Sequence, residues 1–264
     1  MERRRFCSGL VVLAGGAVAP LGVFARGAGV NDMINKSGRQ RMLSQRLAKA
    51  YLQLGQAIEE KHSRKILDAS VSQFDLQLTE LLAFAPTADN KATLADMDKT
   101  WQGFKQRLIG RAPNQEDARS IMSVNEDILV LAQAATDQLE KYSGSAAGKL
   151  VNLSGRQRML SQRMAKFYQA IRWGVAPADA AGKLDRARSD FVDAMKVLND
   201  APGNTQAIRD GLSLAAQQWT FFDAALRLGV GPNGGIQDAT SVATTSERIL
   251  EVMDNITGLY QQLS

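Results

Sequence analysis

The 264-residue sequence contains one cysteine, Cys7, and one histidine, His62. A lone cysteine excludes an intrachain disulfide framework, and together the two are too few for a Cys/His zinc site or a c-type haem attachment. A nucleophilic triad with a histidine base could use only His62, which sits in the polar run Glu59-Glu60-Lys61-His62-Ser63-Arg64. That composition reads as a solvated interhelical turn. The formal charge is only +5, spread over both halves without a Lys/Arg tract or interleaved aromatics, so nucleic acid is not an expected partner. No stretch reaches ~18 uninterrupted apolar residues, which argues against a polytopic membrane protein. With no convergent nucleophile, base and oxyanion set and no metal-ligand cluster, a non-enzymatic protein without metal or cofactor is expected.

The chain begins with Met1-Glu2-Arg3-Arg4-Arg5-Phe6, followed by an apolar, small-residue run to Ala25 that Gly9, Gly15, Gly16, Pro20 and Gly22 interrupt. A basic start and a weakly apolar run form a secretory signal pattern. Arg3-Arg4-Arg5-Phe6 resembles the twin-arginine signal, and Val23-Phe24-Ala25 offers a small-residue cleavage site. Residues 1–25 are therefore expected to be an export signal cleaved near Ala25, giving a periplasmic protein; the alternative is an uncleaved N-terminal membrane anchor. Cleavage would remove Cys7 and leave no thiol in an oxidising compartment.

The rest of the chain is a tandem repeat. Ser37-Gly38-Arg39-Gln40-Arg41-Met42-Leu43-Ser44-Gln45-Arg46 returns unchanged as Ser154-Gly155-Arg156-Gln157-Arg158-Met159-Leu160-Ser161-Gln162-Arg163. In the same register Asn35 falls on Asn152, Lys49 on Lys166, Tyr51 on Tyr168 and Phe74 on Phe191; with a small drift, Trp101 falls on Trp219 and Glu126 on Glu247. The repeats are expected to occupy residues 26–145 and 146–264. Apolar residues recur at three and four spacing, and no alternating strand pattern occurs. Helices are predicted at 30–60, 64–85, 89–110 and 115–142, then 147–174, 177–200, 204–229 and 236–262, broken near Pro86, Pro113, Pro177, Pro202 and Gly229 to Gly235. The expected fold is all-α, two tandem antiparallel four-helix bundles related by a pseudo-twofold. Phe74, Leu78, Leu81 and Leu82, and Phe221, Phe222, Ala225 and Leu226, are the expected core stripes.

Folding alone would preserve the apolar spacing of the repeated helix and let its charges drift, yet three arginines and two glutamines are retained. At 100° per residue, Arg41 shares a face with Ser37, Gly38, Gln45 and Ala48, and Arg158 shares one with Ser154, Gly155, Gln162 and Ala165. Small residues there admit a second helix closely, directing both guanidinium groups into a helix-helix seam. A buried cation needs a partner, and no Asp or Glu lies between Lys36 and Ile58 or between Lys149 and Val175. If the two first helices pack together, Arg41 and Arg158 face each other and call for an anion. A small planar oxyanion suits two guanidinium forks.

The segment Ile34-Asn35-Lys36-Ser37-Gly38-Arg39-Gln40-Arg41-Met42-Leu43-Ser44-Gln45-Arg46-Leu47 resembles the conserved first helix of the NarX-type and PilJ-type sensor domain, I-N-x-[AS]-G-x-x-R-M-x-[ST]-x-R-L. The second copy begins Leu150-Val151-Asn152-Leu153-Ser154-Gly155, with Val in place of Ile. The resemblance implies a helical bundle of extracytoplasmic nitrate and nitrite sensors and of pilus-linked chemotaxis transducers. It places nitrate or nitrite between Arg41 and Arg158, with Asn35, Ser37, Gly38, Gln45, Asn152, Ser154, Gly155 and Gln162 in support. In the nitrate sensors the matching arginine contacts the anion across a homodimer axis, so two copies in one chain imply an internal pseudo-dimer. The implied function is a periplasmic ligand-binding or sensory protein read by a membrane-bound sensor kinase, a chemotaxis transducer or a transporter. A second reading stays open: a helical protein-interaction module of a chemotaxis or pilus-linked system, its arginines held in structural ion pairs by Glu126 and Glu247, with no small ligand.

Overall fold

A computed structural model describes residues 21–228 and 235–263. They form eight α-helices and no strand: α1 (Leu21–Leu54), α2 (Glu60–Phe84), α3 (Ala88–Ile109), α4 (Gln115–Ser143), α5 (Ala146–Trp173), α6 (Ala180–Asn199), α7 (Gln206–Arg227) and α8 (Ile236–Gln261). The expected export signal lies outside the described residues up to residue 20, and the backbone of residues 21–25 belongs to α1. The break expected at Gly229 to Gly235 also lies mostly outside them.

Helix starts follow their capping residues. The side chains of Thr87, Asn114, Ser145 and Thr205 accept hydrogen bonds from the backbone N–H groups of Asn90, Asp117, Gly148 and Ile208, satisfying donors that have no partner within the helix. Gly144 (φ 62°) ends α4 in the left-handed region that glycine adopts without a Cβ penalty.

The first helix differs from the sequence expectation at both ends. α1 begins at Leu21 rather than near residue 30 and stops at Leu54 rather than near residue 60, and α2 starts at Glu60, so His62 stands exposed in its first turn rather than in a turn between helices. The turn packs against a residue remote in sequence: a Cβ on Gly55 would lie 2.0 Å from the Trp173 ring of α5, so only glycine fits there. The chain turns there, with Ala57 and Glu59 at positive φ and Ile58 driven fully into the core.

The fold is two tandem four-helix bundles. α1 packs against α2 and α4, with α3 on α4; α5 packs against α6 and α8, with α7 on α8. The most extensive contact joins the repeats, α1 against α5, and α4 and α8 flank this central pair. The repeated aromatics are structural. Trp101 stacks on Phe74 at 3.9 Å and Trp219 on Phe191 at 4.5 Å. The Tyr51 hydroxyl accepts from the Asn114 N–H, and Tyr168 donates to the Leu228 carbonyl. The retained Gln40 and Gln157 donate to the carbonyls of Phe74 and Phe191, tying each first helix to its second.

Most of the expected core is buried, including Phe74, Leu78, Leu81, Phe222, Ala225 and Leu226, and Leu82 is partly buried. Phe221 is not core. It is 62% exposed, because α7 turns Phe222 toward α8 and so points its neighbour outward.

Candidate functional site

Arg41 and Arg158 lie at the centre of the α1–α5 seam, and neither is exposed at all. A Cβ on Gly38 would lie 3.0 Å from Arg41 Nη2 and 3.8 Å from Arg158 Nη2; a Cβ on Gly155 would meet Arg158 Nη2 at 3.0 Å and Arg41 Nη2 at 3.8 Å. The two glycines therefore leave the space in which the guanidinium groups approach each other, related by the pseudo-twofold.

Their hydrogen bonds cross between repeats. Arg41 Nη2 donates to Asn152 Oδ1 at 2.8 Å and to its carbonyl at 3.3 Å; Arg158 Nη2 donates to Asn35 Oδ1 and carbonyl at the same distances. Each arginine is thus positioned by the asparagine that opens the motif in the other copy.

The fourth helices break this symmetry. Arg158 Nη1 is ion-paired with Asp254 of α8, which also takes Arg39 Nη2 from α1 at 2.6 Å. Arg41 Nη1 instead donates to the neutral Gln133 Oε1 of α4 at 2.7 Å, and Gln133 Nε2 in turn donates to Asp137 at 2.7 Å. Among the described residues, Arg41 makes no ion pair. Beside it opens a cleft of about 330 Å³ lined by Gln133, Asp137, Glu140, Lys149, Asn152 and Arg156 as well as Arg41 itself. Burial pushes the Arg41 pKa down to about 9, with the Arg158 charge adding to the effect and Asp137 opposing it. Burial likewise lowers Arg158, to about 10, against the pull of Asp254.

The other sequence-predicted residues divide. Asn35, Asn152, Gly38 and Gly155 bear directly on the guanidinium groups. Ser37 bonds Thr136, and Ser154 donates to the Leu150 carbonyl of its own helix. Gln45 donates to Ser44 and Gln162 to the Ser246 carbonyl; the buried Oε1 of each and the Nε of each arginine have no protein partner.

Glu126 and Glu247 do not pair with Arg41 and Arg158, contrary to the second sequence reading. Glu247 of α8 holds Arg46 and the fully buried Lys49 of α1, while Glu126 of α4 holds Arg163 and the fully buried Lys166 of α5. The reason is axial position. Glu126 and Gln133 are nearly two helical turns apart on α4, so only Gln133 reaches the level of Arg41. Burial raises both glutamate carboxyls, but Lys166 with Arg163, and Lys49 with Arg46, outweigh it and hold each at about 2. Burial brings Lys166 down to about 7 and lowers Lys49 in the same direction.

Sequence reasoning missed Gln133 and Asp254. The signal was present: the register that brings Glu126 onto Glu247 also brings Gln133 onto Asp254. Because those two residues differ in type, a search for retained polar residues passes over them.

The two copies of the repeated helix thus form a single seam with two mutually facing buried arginines. The family described as Type IV pili methyl-accepting chemotaxis transducer N-term (PilJ) matches residues 23–135 and again 142–238. The chain is a member of the PilJ family, carrying two tandem copies of a sensory, signalling type of domain. Comparison with curated proteins and with solved structures returned no match to either. No helix among the described residues is long and apolar enough to cross a membrane, and no group of His, Cys, Asp or Glu among them could hold a metal ion.

Proposed function

We propose that this protein is an exported, periplasmic sensory protein that takes one small planar oxyanion, nitrate or nitrite, at Arg41 with Arg158 across the seam. A membrane-bound kinase, transducer or transporter then reads the occupied state. The observation that carries the reading is the difference between the two arginines. Arg158 has a carboxylate in contact, whereas Arg41 is equally buried, has only amide and carbonyl acceptors, and lies beside a cleft large enough for a three-oxygen anion. A buried guanidinium gains most from an acceptor of full negative charge with parallel oxygens. The resemblance of the repeated helix to that of nitrate sensors of the NarX type and the twin-arginine-like start Arg3-Arg4-Arg5-Phe6 support the ligand and the location.

Titration calorimetry and thermal unfolding with nitrate, nitrite, chloride and sulfate test this, beside Arg41→Ala and Gln133→Asp. One site per chain, selective for nitrate or nitrite and lost in both variants, is expected. At ~100 times Kd, ligand should stabilise the native state by ~2.7 kcal/mol. The Asp254–Arg158 pair favours a second reading, an interaction module with structural arginines; under it no anion changes stability and Arg41→Ala simply destabilises the fold.

A further inference from the structure

We propose that the cleft beside Arg41 is a binding site for a small neutral α-amino acid, whose carboxylate takes the guanidinium and whose ammonium takes Asp137 and Glu140. The proposal rests on the reading of Arg41 as an anion acceptor and goes beyond it in asking what the rest of the cleft is for. The lining of this cleft of about 330 Å³ carries two carboxylates as well as the arginine. An anion alone gains Arg41 and meets Asp137 and Glu140 as like charges. A zwitterion gains both.

Two amides already span the gap between the charges. Gln133 accepts from Arg41 Nη1 through Oε1 and donates to Asp137 through Nε2, both at 2.7 Å. Asn152 accepts from Arg41 Nη2 at 2.8 Å and donates through Nδ2 to Glu140 at 2.5 Å and to Asp137 at 3.3 Å. Arg41 and the acid pair therefore stand one amide apart, with an acceptor called for at one end and a donor at the other. A carboxylate and an ammonium carried on one carbon present the same two functions with full charges, for which hydrogen bonds are roughly twice as strong. Gln133, half-buried beside the cleft, is the amide such a ligand displaces. Arg41 keeps one further buried donor, Nε, that has no protein partner.

The pseudo-twofold counterpart shows what a closed version of this arrangement looks like. In the register of each helix, Asp137, Glu140 and Lys149 correspond to Gly258, Gln261 and Asp32. There Arg158 is ion-paired with Asp254, Asn35 donates to the neutral Gln261, and Asp32 is taken by Lys36. Each of those charges has its partner inside the chain. On the Arg41 side, Arg156 is paired with Asp190, but among the described residues Arg41, Lys149, Asp137 and Glu140 make no ion pair. Two cations against two anions leave these unpaired groups without net charge. The complementary ligand carries both signs and no net charge of its own.

Titration calorimetry of the full chain with glycine, alanine and serine is the test, beside nitrate and the single-charge fragments acetate and methylammonium. The amino acids should bind at one site per chain, and the two fragments about tenfold more weakly or less. In Glu140→Gln the amide oxygen still accepts from Asn152, so the fold is kept. Alanine affinity should fall about tenfold in this variant, while nitrate, relieved of a like charge, should bind more tightly. A purely structural role for Glu140 would weaken both ligands together and would overturn the proposal, as would equal affinities for alanine and acetate. Nitrate binding without amino-acid binding overturns it and leaves the oxyanion reading standing. Amino-acid binding without nitrate binding upholds it and removes nitrate as the ligand, and binding of neither overturns both.

Discussion

Asp254 and Gln133 occupy the same position in the two repeats, and each holds the terminal nitrogen of a buried arginine, one as a carboxylate and the other as a carboxamide. The pseudo-twofold seam is therefore symmetric in its arginines and asparagines and asymmetric in charge. Exchanging the two residues separates the roles of the two halves.

Gln133→Asp places on Arg41 the carboxylate that Arg158 already has. The variant should melt higher than wild type by a few degrees and lack the proposed response to nitrate and nitrite, because the internal carboxylate occupies the acceptor position. Asp254→Asn should do the reverse for stability, costing about 1–3 kcal/mol as Arg39 and Arg158 lose their shared partner. Calorimetric unfolding with and without anion checks both.

Glu126 and Lys166 form a second kind of test, because Lys166 is fully buried and Glu126 comes from the other repeat. Glu126→Ala strands a buried ammonium and should cost about 3–5 kcal/mol. The double variant Glu126→Gln, Lys166→Met replaces the pair with groups of similar volume and should recover most of the loss. Chemical denaturation of Glu126→Gln, Lys166→Met and the double variant measures the coupling directly. A double variant as unstable as Glu126→Ala would show that the ion pair itself, rather than relief of an unpaired charge, is what the fold requires.

Acid should weaken the molecule through the same residues. Glu126 and Glu247 are held at about 2, below the ordinary 4.5, so their contribution is fully present above about 4.5 and is lost as pH falls toward 2. Lys166 acts in the opposite window. Its folded value of about 7 lies below the ordinary 10.5, so the cost of its buried charge is relieved as pH rises from about 7. Melting temperature against pH should rise steeply from 2 to 4.5 in wild type and less steeply in the Glu126→Gln, Lys166→Met variant.

Gly55→Ala should be among the most damaging small substitutions in the chain. A Cβ there would lie 2.0 Å from one Trp173 ring atom and 2.5 Å from another, with no flexible end to give way. The overpacking cost is about 1–3 kcal/mol. Gly29→Ala, with nothing within 4 Å, serves as the helix-propensity control and should be neutral or mildly stabilising. Thermal unfolding of the pair reads the difference.

Much of the fold was legible because its determinants are local. Thr87, Asn114, Ser145 and Thr205 announce helix starts beside Pro86, Pro113 and Pro202, and the ten-residue identity announces the repeat. The need for glycine at 55 was not legible, since it is set by the Trp173 ring arriving from the other repeat. Arg41 and Arg158 were placed in the seam by their small neighbours, and Asn35 and Asn152 by the motif. Their acid and amide partners, Asp254 and Gln133, depend on the axial stagger of α4 and α8 against α1 and α5, which periodicity along a single helix does not contain. Phe221 shows the same limit at finer scale: adjacent aromatics share a stripe in composition, but only one of the two can face the core.

The crossing of Glu126 to α5 and of Glu247 to α1 bears on why both copies stay in one polypeptide. A receptor assembled from two identical subunits must present the same residue to both of its central arginines, so any change at one is imposed on the other. Here each half completes the other's interior, yet each is encoded separately. Gln133 and Asp254 were free to part company, and a seam with two equivalent halves could become one with a single vacancy of charge and a definite polarity.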